Sequence, residues 1–112
     1  MSSYLEFKEK TTMNINFEYD GVSASARLEE MATKKLDKLV DKYDFIVRAD
    51  VFFKKEKSSD PEEGKICNIR LSVPGPRLFA EASNDTFEES IAESTGELER
   101  QLKKKKEKMK SH

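Results

Sequence analysis

The sequence predicts an α+β fold in which a four-stranded sheet carries two helices on one face, in the order β-α-β-β-β-α. Four segments alternate apolar and polar residues at every second position, and two longer segments repeat apolar residues at helical spacing. With 112 residues there is room for one domain, and a hydrophobic content of 36% is enough for one thin core under a charged surface.

The chain begins with a segment that has no clear pattern, and the first strand follows it. Residues 1–12 carry mixed charges without a period, so we interpret them as a flexible leader of unknown role. Over residues 13–19 the apolar side chains of Ile15, Phe17 and Tyr19 alternate with polar ones. This alternation is typical of a strand with one buried face.

The first helix is predicted over about residues 25–43. Asp20-Gly21 ends the preceding strand, and the hydroxyl of Ser23 or Ser25 can then accept a hydrogen bond from a free backbone N–H of the first turn. The apolar positions of this helix are Leu28, Met31, Ala32, Leu36, Leu39, Val40 and Tyr43.

The second strand is predicted to have one apolar and one polar face. The apolar face holds Val47, Ala49, Val51 and Phe53. The opposite face includes Phe52, which is unusual because an aromatic ring would be exposed there. Residues 57–64, KSSDPEEG, combine turn-forming residues with charge, which predicts a hairpin loop between antiparallel neighbours.

Two further strands follow this loop. The third, over about residues 65–73, ends at the Pro-Gly-Pro triplet 74–76 because proline has no N–H to donate, and the fourth spans about 77–83. Cys67 is the only cysteine and cannot form an internal disulfide. Its place in the alternation of the third strand points towards the core, so we expect a buried, unreactive thiol.

The second helix is predicted to begin at a capping box formed by Asp85 and Glu88 and to run to about Lys108. Its apolar positions are Phe87, Ile91, Leu98 and Leu102, with Ser94 or Thr95 between them. Gly96 lies inside this helix and is expected to cost about 1 kcal/mol relative to alanine. Residues 109–112 are interpreted as a tail.

Positive charge is concentrated in two places although the net charge of the chain is only −1. On the first helix, Arg27, Lys34 and Lys38 lie opposite the apolar stripe, with Lys35 and Lys42 beside them. Near the end of the second helix seven cations are opposed only by Glu107: Arg100, Lys103, Lys104, Lys105, Lys106, Lys108 and Lys110. From residue 85 to 99 every charge is negative.

These clusters allow more than one interpretation. On one side of the molecule they could hold a phosphate backbone, by contacts that read shape more than sequence. The first cluster could equally be a solvated face with weak pairs to neighbouring carboxylates, and the second could be a frayed, solubilising end or a contact for anionic lipid. No signature of base stacking, either an RNA-recognition motif or a zinc knuckle, is present.

Catalysis and metal binding have little support in the sequence. The only histidine, His112, is the final residue, and the single cysteine is predicted to face the core. Asp60, Glu62 and Glu63 lack the spacing of a calcium loop, and no glycine-rich phosphate loop occurs. We therefore expect no enzyme, cofactor or metal. Without a membrane span or signal peptide in the sequence, we expect a cytoplasmic protein.

Five segments in the same order and spacing make residues 13–108 resemble the ribosome hibernation-promoting factors and ribosome-associated inhibitors, once labelled sigma modulation proteins. The segments are Met13-Asn14-Ile15, Lys34-Lys35-Leu36-Asp37-Lys38-Leu39, Val73-Pro74-Gly75, Leu78-Phe79-Ala80-Glu81-Ala82 and Leu98-Glu99-Arg100-Gln101-Leu102-Lys103. The resemblance implies a domain related in architecture to double-stranded RNA-binding domains, with two parallel helices on one sheet face. It also implies that residues 13–108 bind the ribosome.

The resemblance further implies that the protein binds the small ribosomal subunit, in the channel of messenger and transfer RNA, and blocks translation by occupying it in stationary phase or stress. The ribosomal RNA contacts that it implies are Lys35, Lys38, Arg100, Lys103 and Lys104. Charge geometry alone adds Arg27, Lys34, Lys106 and Lys108. We expect a short family form that is a monomer off the ribosome, without a small-molecule substrate or a membrane partner.

A second function class stays open. An exposed strand edge, or the open sheet face around Phe52, could bind a protein partner instead of RNA. Such binding would be insensitive to salt and to nuclease, whereas binding through phosphates weakens steeply as salt rises.

Overall fold

A computed structural model describes residues 14–57 and 64–110, and within them it confirms the predicted order of elements. The elements are β1 (Asn14–Asp20), α1 (Ala26–Lys42), β2 (Arg48–Lys55), β3 (Lys65–Ser72), β4 (Leu78–Asn84) and α2 (Phe87–Lys110). The predicted leader 1–12, residue 13 of the first strand, the interior of the hairpin loop and residues 111–112 lie outside the described residues. Helix α2 extends two residues into the predicted tail.

The four strands form one sheet in the order β1-β2-β3-β4. β1 is parallel to β2 because α1 carries the chain back across the sheet between them, whereas β2, β3 and β4 are antiparallel neighbours. The register aligns Val51 with Phe17 on one side and with Ile69 on the other. The apolar residues of the four strands therefore share one face, and this face supports both helices.

Phe53 lies at the centre of the core that joins this face to the helices. Its side chain is fully buried, and its ring is stacked with those of Tyr19 and Phe17 at centroid distances of 5.4 and 6.4 Å. The ring of Phe87, the first residue of α2, meets it edge-on at 5.6 Å. Leu36 of α1 belongs to the same core, so both helices bury their apolar stripes on one side of the sheet.

The first helix begins where the sequence predicts. Ser25 is its N-cap, and the Ser25 hydroxyl accepts a hydrogen bond of 3.3 Å from the backbone N–H of Leu28. The Tyr19 hydroxyl donates to the carboxylate of Glu29 in the first turn, which ties α1 to β1. The burial of Tyr19 and this hydrogen bond raise its pKa.

The predicted capping box at Asp85 is wrong by one residue. Thr86 is the residue before the helix, and its hydroxyl accepts a hydrogen bond of 3.2 Å from the backbone N–H of Glu89. Thr86 and Glu89 preserve the spacing of a capping box, but one position later in the chain. Glu88, the predicted partner of Asp85, instead accepts a hydrogen bond from Arg27 of α1.

Two details of the second strand also differ from the prediction. Val47 was expected on the buried face, but it precedes β2 and is 65% exposed, while Ile46 enters the core in its place. The alternation fails there because the strand begins only at Arg48. Phe52 does face the open side of the sheet, but it is half-buried, between Glu18 and Asn68 on the neighbouring strands.

Cys67 is buried in the core, as the alternation of β3 predicts. Burial raises the pKa of its thiol from 9.0 to about 11, an effect that a hydrogen bond with Ser94 only partly offsets. The thiolate needed for reaction with electrophiles is therefore scarce in the native protein at neutral pH.

We expect the raised pKa of Cys67 to make the fold less stable in alkali. Between pH 9 and pH 11 the unfolded chain has lost the thiol proton while the native protein retains it, so stability falls as pH rises through this window. The free energy of unfolding can fall by at most about 1.4 kcal/mol per pH unit through this one group. Urea unfolding of wild type and of Cys67→Ala over this pH range tests the prediction. The comparison isolates the thiol, because the lysines titrate equally in the two proteins. Parallel pH profiles would contradict the prediction.

No helix in the described parts of the chain is both long enough and apolar enough to cross a membrane.

Candidate nucleic-acid interface

The two helices lie side by side and run in the same direction. Arg27 in the first turn of α1 pairs with Glu88 in the first turn of α2. Further along, the Lys42 ammonium lies 2.7 Å from the Glu99 carboxylate. Because the two pairs join the helices near the two ends of α1, a continuous groove runs between the solvent-facing sides of α1 and α2.

The position of α2 beside the sheet is set by small polar residues on its inner side. The Ser90 hydroxyl donates to the backbone carbonyl of Lys65 in β3 at 2.5 Å. The buried hydroxyls of Ser94 and Thr95 are satisfied by carbonyls of their own helix, at 2.7 and 2.8 Å. With Ser90, Ser94 and Thr95 on the inner side of α2, Gly96 and Glu99 lie beside the groove.

The centre of the groove is a hollow of about 470 Å³. Lys35, Lys38 and Lys42 line it from α1, and Gly96 and Glu99 line it from α2. The three lysines follow one another at intervals of three and four residues, which places them on the same side of a helix. Three cations of α1 thus share the hollow with two carboxylates, Glu99 of α2 and Asp41 of α1.

The positive surface continues towards the end of α2. Two adjoining hollows are bordered by Lys42, Arg100, Lys103 and Lys106. Lys106 is oriented by Tyr43, since its ammonium lies 5.5 Å from the ring centroid and donates to the Lys42 carbonyl at 3.3 Å. We call the whole surface the basic groove, and its cations are Lys35, Lys38, Lys42, Arg100, Lys103 and Lys106.

One predicted contact, Lys34, lies on the flank of the basic groove. It borders a smaller hollow of about 290 Å³ together with Met31, Lys35 and Lys38. Its side chain is exposed. Lys34 therefore widens the positive surface on the side of α1.

Three other predicted contacts do not line these hollows. Arg27 lies at the opposite end of the helices, and its hydrogen bond lowers the pKa of Glu88. Lys104 and Lys108 fall on the same helical stripe as Gln101, whose side-chain amide donates to the Phe79 carbonyl of β4 at 2.9 Å. That stripe faces the edge of the sheet instead of α1.

Carboxylates neutralise part of the basic groove. A hydrogen bond with Glu99 raises the pKa of Lys42, and a hydrogen bond with Arg100 lowers the pKa of Glu97. By contrast, Lys35 and Lys38 form no ion pair with any residue in 14–57 or 64–110. The groove therefore offers an anion two lysines of α1 that form no such pair, beside Lys42 and Arg100, which are already paired with carboxylates.

Lys42 belongs to the basic groove although it is not among the contacts predicted from the sequence. The helical projection places it beside Arg27, Lys34 and Lys38, yet the structure shows that it borders the central hollow and both of its extensions. Its spacing from Lys35 and Lys38 was the available signal. The signal was incomplete because only the packed position of α2 shows which side of α1 faces the groove.

Gly96 provides a test of stability at the groove. A Cβ atom added at this position would meet no heavy atom within 4 Å beyond its chain neighbours and the backbone of its own helix. Gly96→Ala should therefore stabilise the fold by about 0.5 to 1 kcal/mol, because alanine restricts the unfolded chain and favours the helix without a clash. Urea denaturation checks this value. Loss of stability would mean that α2 needs glycine here for packing.

Among residues 14–57 and 64–110 no group of three or more histidine, cysteine, aspartate or glutamate side chains could hold a metal ion. The open sheet face carries a separate, polar hollow of about 360 Å³ around Phe52 and Asn68. Part of its charge is self-compensated, because Arg48 donates to Asp50 at 2.9 Å. The larger unpaired cationic surface is on the helical side.

Comparison with known proteins gives consistent results. The model of a family described as "Sigma 54 modulation protein / S30EA ribosomal protein" matches residues 15–110. Two curated proteins of Pseudomonas putida, one of them from strain KT2440, bear the name ribosome hibernation promoting factor. Each is 29% identical to this chain over 99 residues, which cover 88% of this chain and 92% of the relative.

Solved structures share the fold. A ribosomal subunit interface protein from Coxiella burnetii has 28% identity and a TM-score of 0.72, with 84% of this chain and 98% of that chain covered. The N-terminal domain of Protein Y from Thermus thermophilus has a TM-score of 0.70, with 82% and 98% covered. At 21% identity, the second match supports the architecture alone.

Proposed function

Because this chain belongs to the sigma 54 modulation protein / S30EA ribosomal protein family, we propose that it acts by occupying the small ribosomal subunit. It is a ribosome-associated hibernation or modulation factor, as the family and the names of its relatives indicate. In the proposed mechanism the domain 13–108 enters the channel of messenger and transfer RNA and blocks translation sterically, in stationary phase or stress.

The basic groove is the observation that carries this proposal. Its cations converge from two helices on one side of a molecule whose net charge is only −1. Such a surface attracts a polyanion locally, within a screening length of about 8 Å at physiological salt, without attracting anions to the rest of the protein. Contacts to phosphates hold a protein in register on RNA without reading its bases.

The proposed mechanism requires no chemistry. The family is one of ribosome-associated modulation factors and is not known for enzymatic activity. Steric occlusion needs only a folded domain, a positive surface and a binding site that translation also uses. We propose accordingly that the protein works in the cytoplasm, as a monomer off the ribosome, with ribosomal RNA as its partner.

Sedimentation of purified protein with small ribosomal subunits tests the proposed function. Wild-type protein should co-sediment at about 50 mM salt and lose affinity by about a thousandfold at 200 mM if six phosphates are neutralised, because each neutralised phosphate releases counterions. Addition of the protein should also inhibit translation in a purified system. Binding that does not change with salt, or binding without inhibition, would contradict the mechanism.

The alternative of a protein-interaction module has weaker support. One acceptor of edge strand β4 is already used, because the Gln101 side-chain amide donates to the Phe79 carbonyl. A partner strand cannot bond to this carbonyl without displacing Gln101. On the open sheet face, Phe52 is half-buried, and Arg70 lies 5.9 Å from the ring centroid of Phe79. Nuclease-resistant, salt-insensitive capture of an RNA-free protein would favour this alternative over RNA binding.

A further inference from the structure

Glu99 supplies a negative charge within the central hollow of the basic groove. Its carboxylate lies 2.7 Å from the Lys42 ammonium and borders the same hollow as Lys35 and Lys38. A carboxylate and a phosphate present similar oxygen acceptors to an ammonium group. Glu99 therefore holds Lys42 in the way that a phosphate oxygen of a ligand would hold it.

The floor of the hollow beside Glu99 is open. Gly96 precedes Glu99 by almost one helical turn, and apart from its chain neighbours and the backbone of its own helix no heavy atom lies within 4 Å of the place where its Cβ would be. The groove can therefore be entered there down to the backbone of α2. A tetrahedral phosphate with its oxygens needs such space, which a larger side chain at position 96 would fill.

We propose that the hollow between Lys35, Lys38 and Gly96 is the seat of one phosphodiester group of the bound RNA, and that Glu99 competes with this phosphate for Lys42. The proposal rests on the proposed function and adds a residue that limits affinity. When RNA binds, the phosphate takes the place of the Glu99 carboxylate on the lysine, and Glu99 returns to water.

The exposure of the pair makes this exchange feasible. The side chains of Lys42 and Glu99 are 64% and 41% exposed, so water and salt already weaken their attraction. A single isolated anion gains little by displacing Glu99. An RNA backbone that also reaches Lys35, Lys38 and Lys103 displaces it more readily, so Glu99 favours extended, correctly spaced phosphates over small anions.

The first test compares two charge-neutral substitutions. Glu99→Gln should bind small ribosomal subunits about three to five times more tightly than wild type at low salt, and the advantage should fade as salt rises. Glu88→Gln is the matched control, because it removes an equal charge from an equivalent pair between the helices, outside the groove. Equal gains in both variants would overturn the proposal, since only net charge would then matter.

A double-mutant cycle tests whether Glu99 acts through Lys42. In a Lys42→Gln background the gain from Glu99→Gln should largely disappear, because the cation that it releases is absent. An undiminished gain would show that Glu99 repels RNA from a distance without occupying Lys42, which contradicts the competition.

The seat itself can be tested without the ribosome. Titration of isotope-labelled protein with a 12-base-pair RNA duplex should shift the amide signals of Gly96 and Lys42, and Gly96→Leu should abolish the shift of Lys42 without loss of thermal stability. Shifts with the duplex but no binding to small subunits would refute the proposed function and leave the seat standing. Binding to subunits that is unaffected by Gly96→Leu would refute the seat alone.

Discussion

Replacing Lys35, Lys38, Lys42 and Lys103 by glutamine is expected to weaken binding to small ribosomal subunits by at least about a hundredfold at 100 mM salt. The four ammonium groups border the hollows of the basic groove, so each can contact a phosphate. Their loss should also reduce the slope of log affinity against log salt concentration by about three to four, because each lost phosphate contact lowers that slope by about one. A salt series of equilibrium binding measurements gives both quantities.

The control for this variant removes four positive charges elsewhere. Glutamine at Lys54, Lys55, Lys57 and Lys65 changes the net charge equally, but these residues lie on the β2 and β3 hairpin. The affinity of this control variant for small subunits should lie within about threefold of wild type, because salt screens each charge beyond its immediate surroundings. Similar losses in both variants, at similar melting temperatures, would show that the groove has no special role.

Phe53→Ala is expected to have the largest effect on stability, a loss of about 3 to 5 kcal/mol. The ring is fully buried and contacts three other rings, from β1 and from the first residue of α2. Its removal leaves a cavity where the sheet and helix meet, and domains of this size are typically stable by only about 5 to 15 kcal/mol. Urea denaturation at neutral pH measures the loss.

Two further variants make the Phe53 result specific. Phe53→Leu retains most of the apolar volume and should cost less than half as much. Phe79→Ala removes the same kind of ring from a position that is 44% exposed, and should change stability by less than about 1 kcal/mol. Comparable losses at residues 53 and 79 would contradict the placement of the core around Phe53.

The buried face of the sheet and the start of α1 were predicted correctly from local sequence pattern. The alternation through Phe17 and Phe53 identified the buried sheet face, and the cap at Ser25 was one of two serines that the sequence allowed. The predicted ends of two elements were wrong: the cap of α2 is Thr86 and not Asp85, and Val47 lies exposed before β2. In both places the ends of regular structure depend on how neighbouring elements pack, which short sequence windows do not contain.

The amino-acid sequence by itself determined the order of the elements, their buried faces and the concentration of positive charge on two helices. Only the tertiary structure decided which cations meet: Lys42 enters the groove, Lys104 and Lys108 fall on the stripe facing the sheet edge, and Glu99 reaches Lys42 across 57 positions of sequence. The reason is physical. Periodicity reports contacts within a few residues, whereas the side of a helix that meets another helix is set by packing both on one sheet.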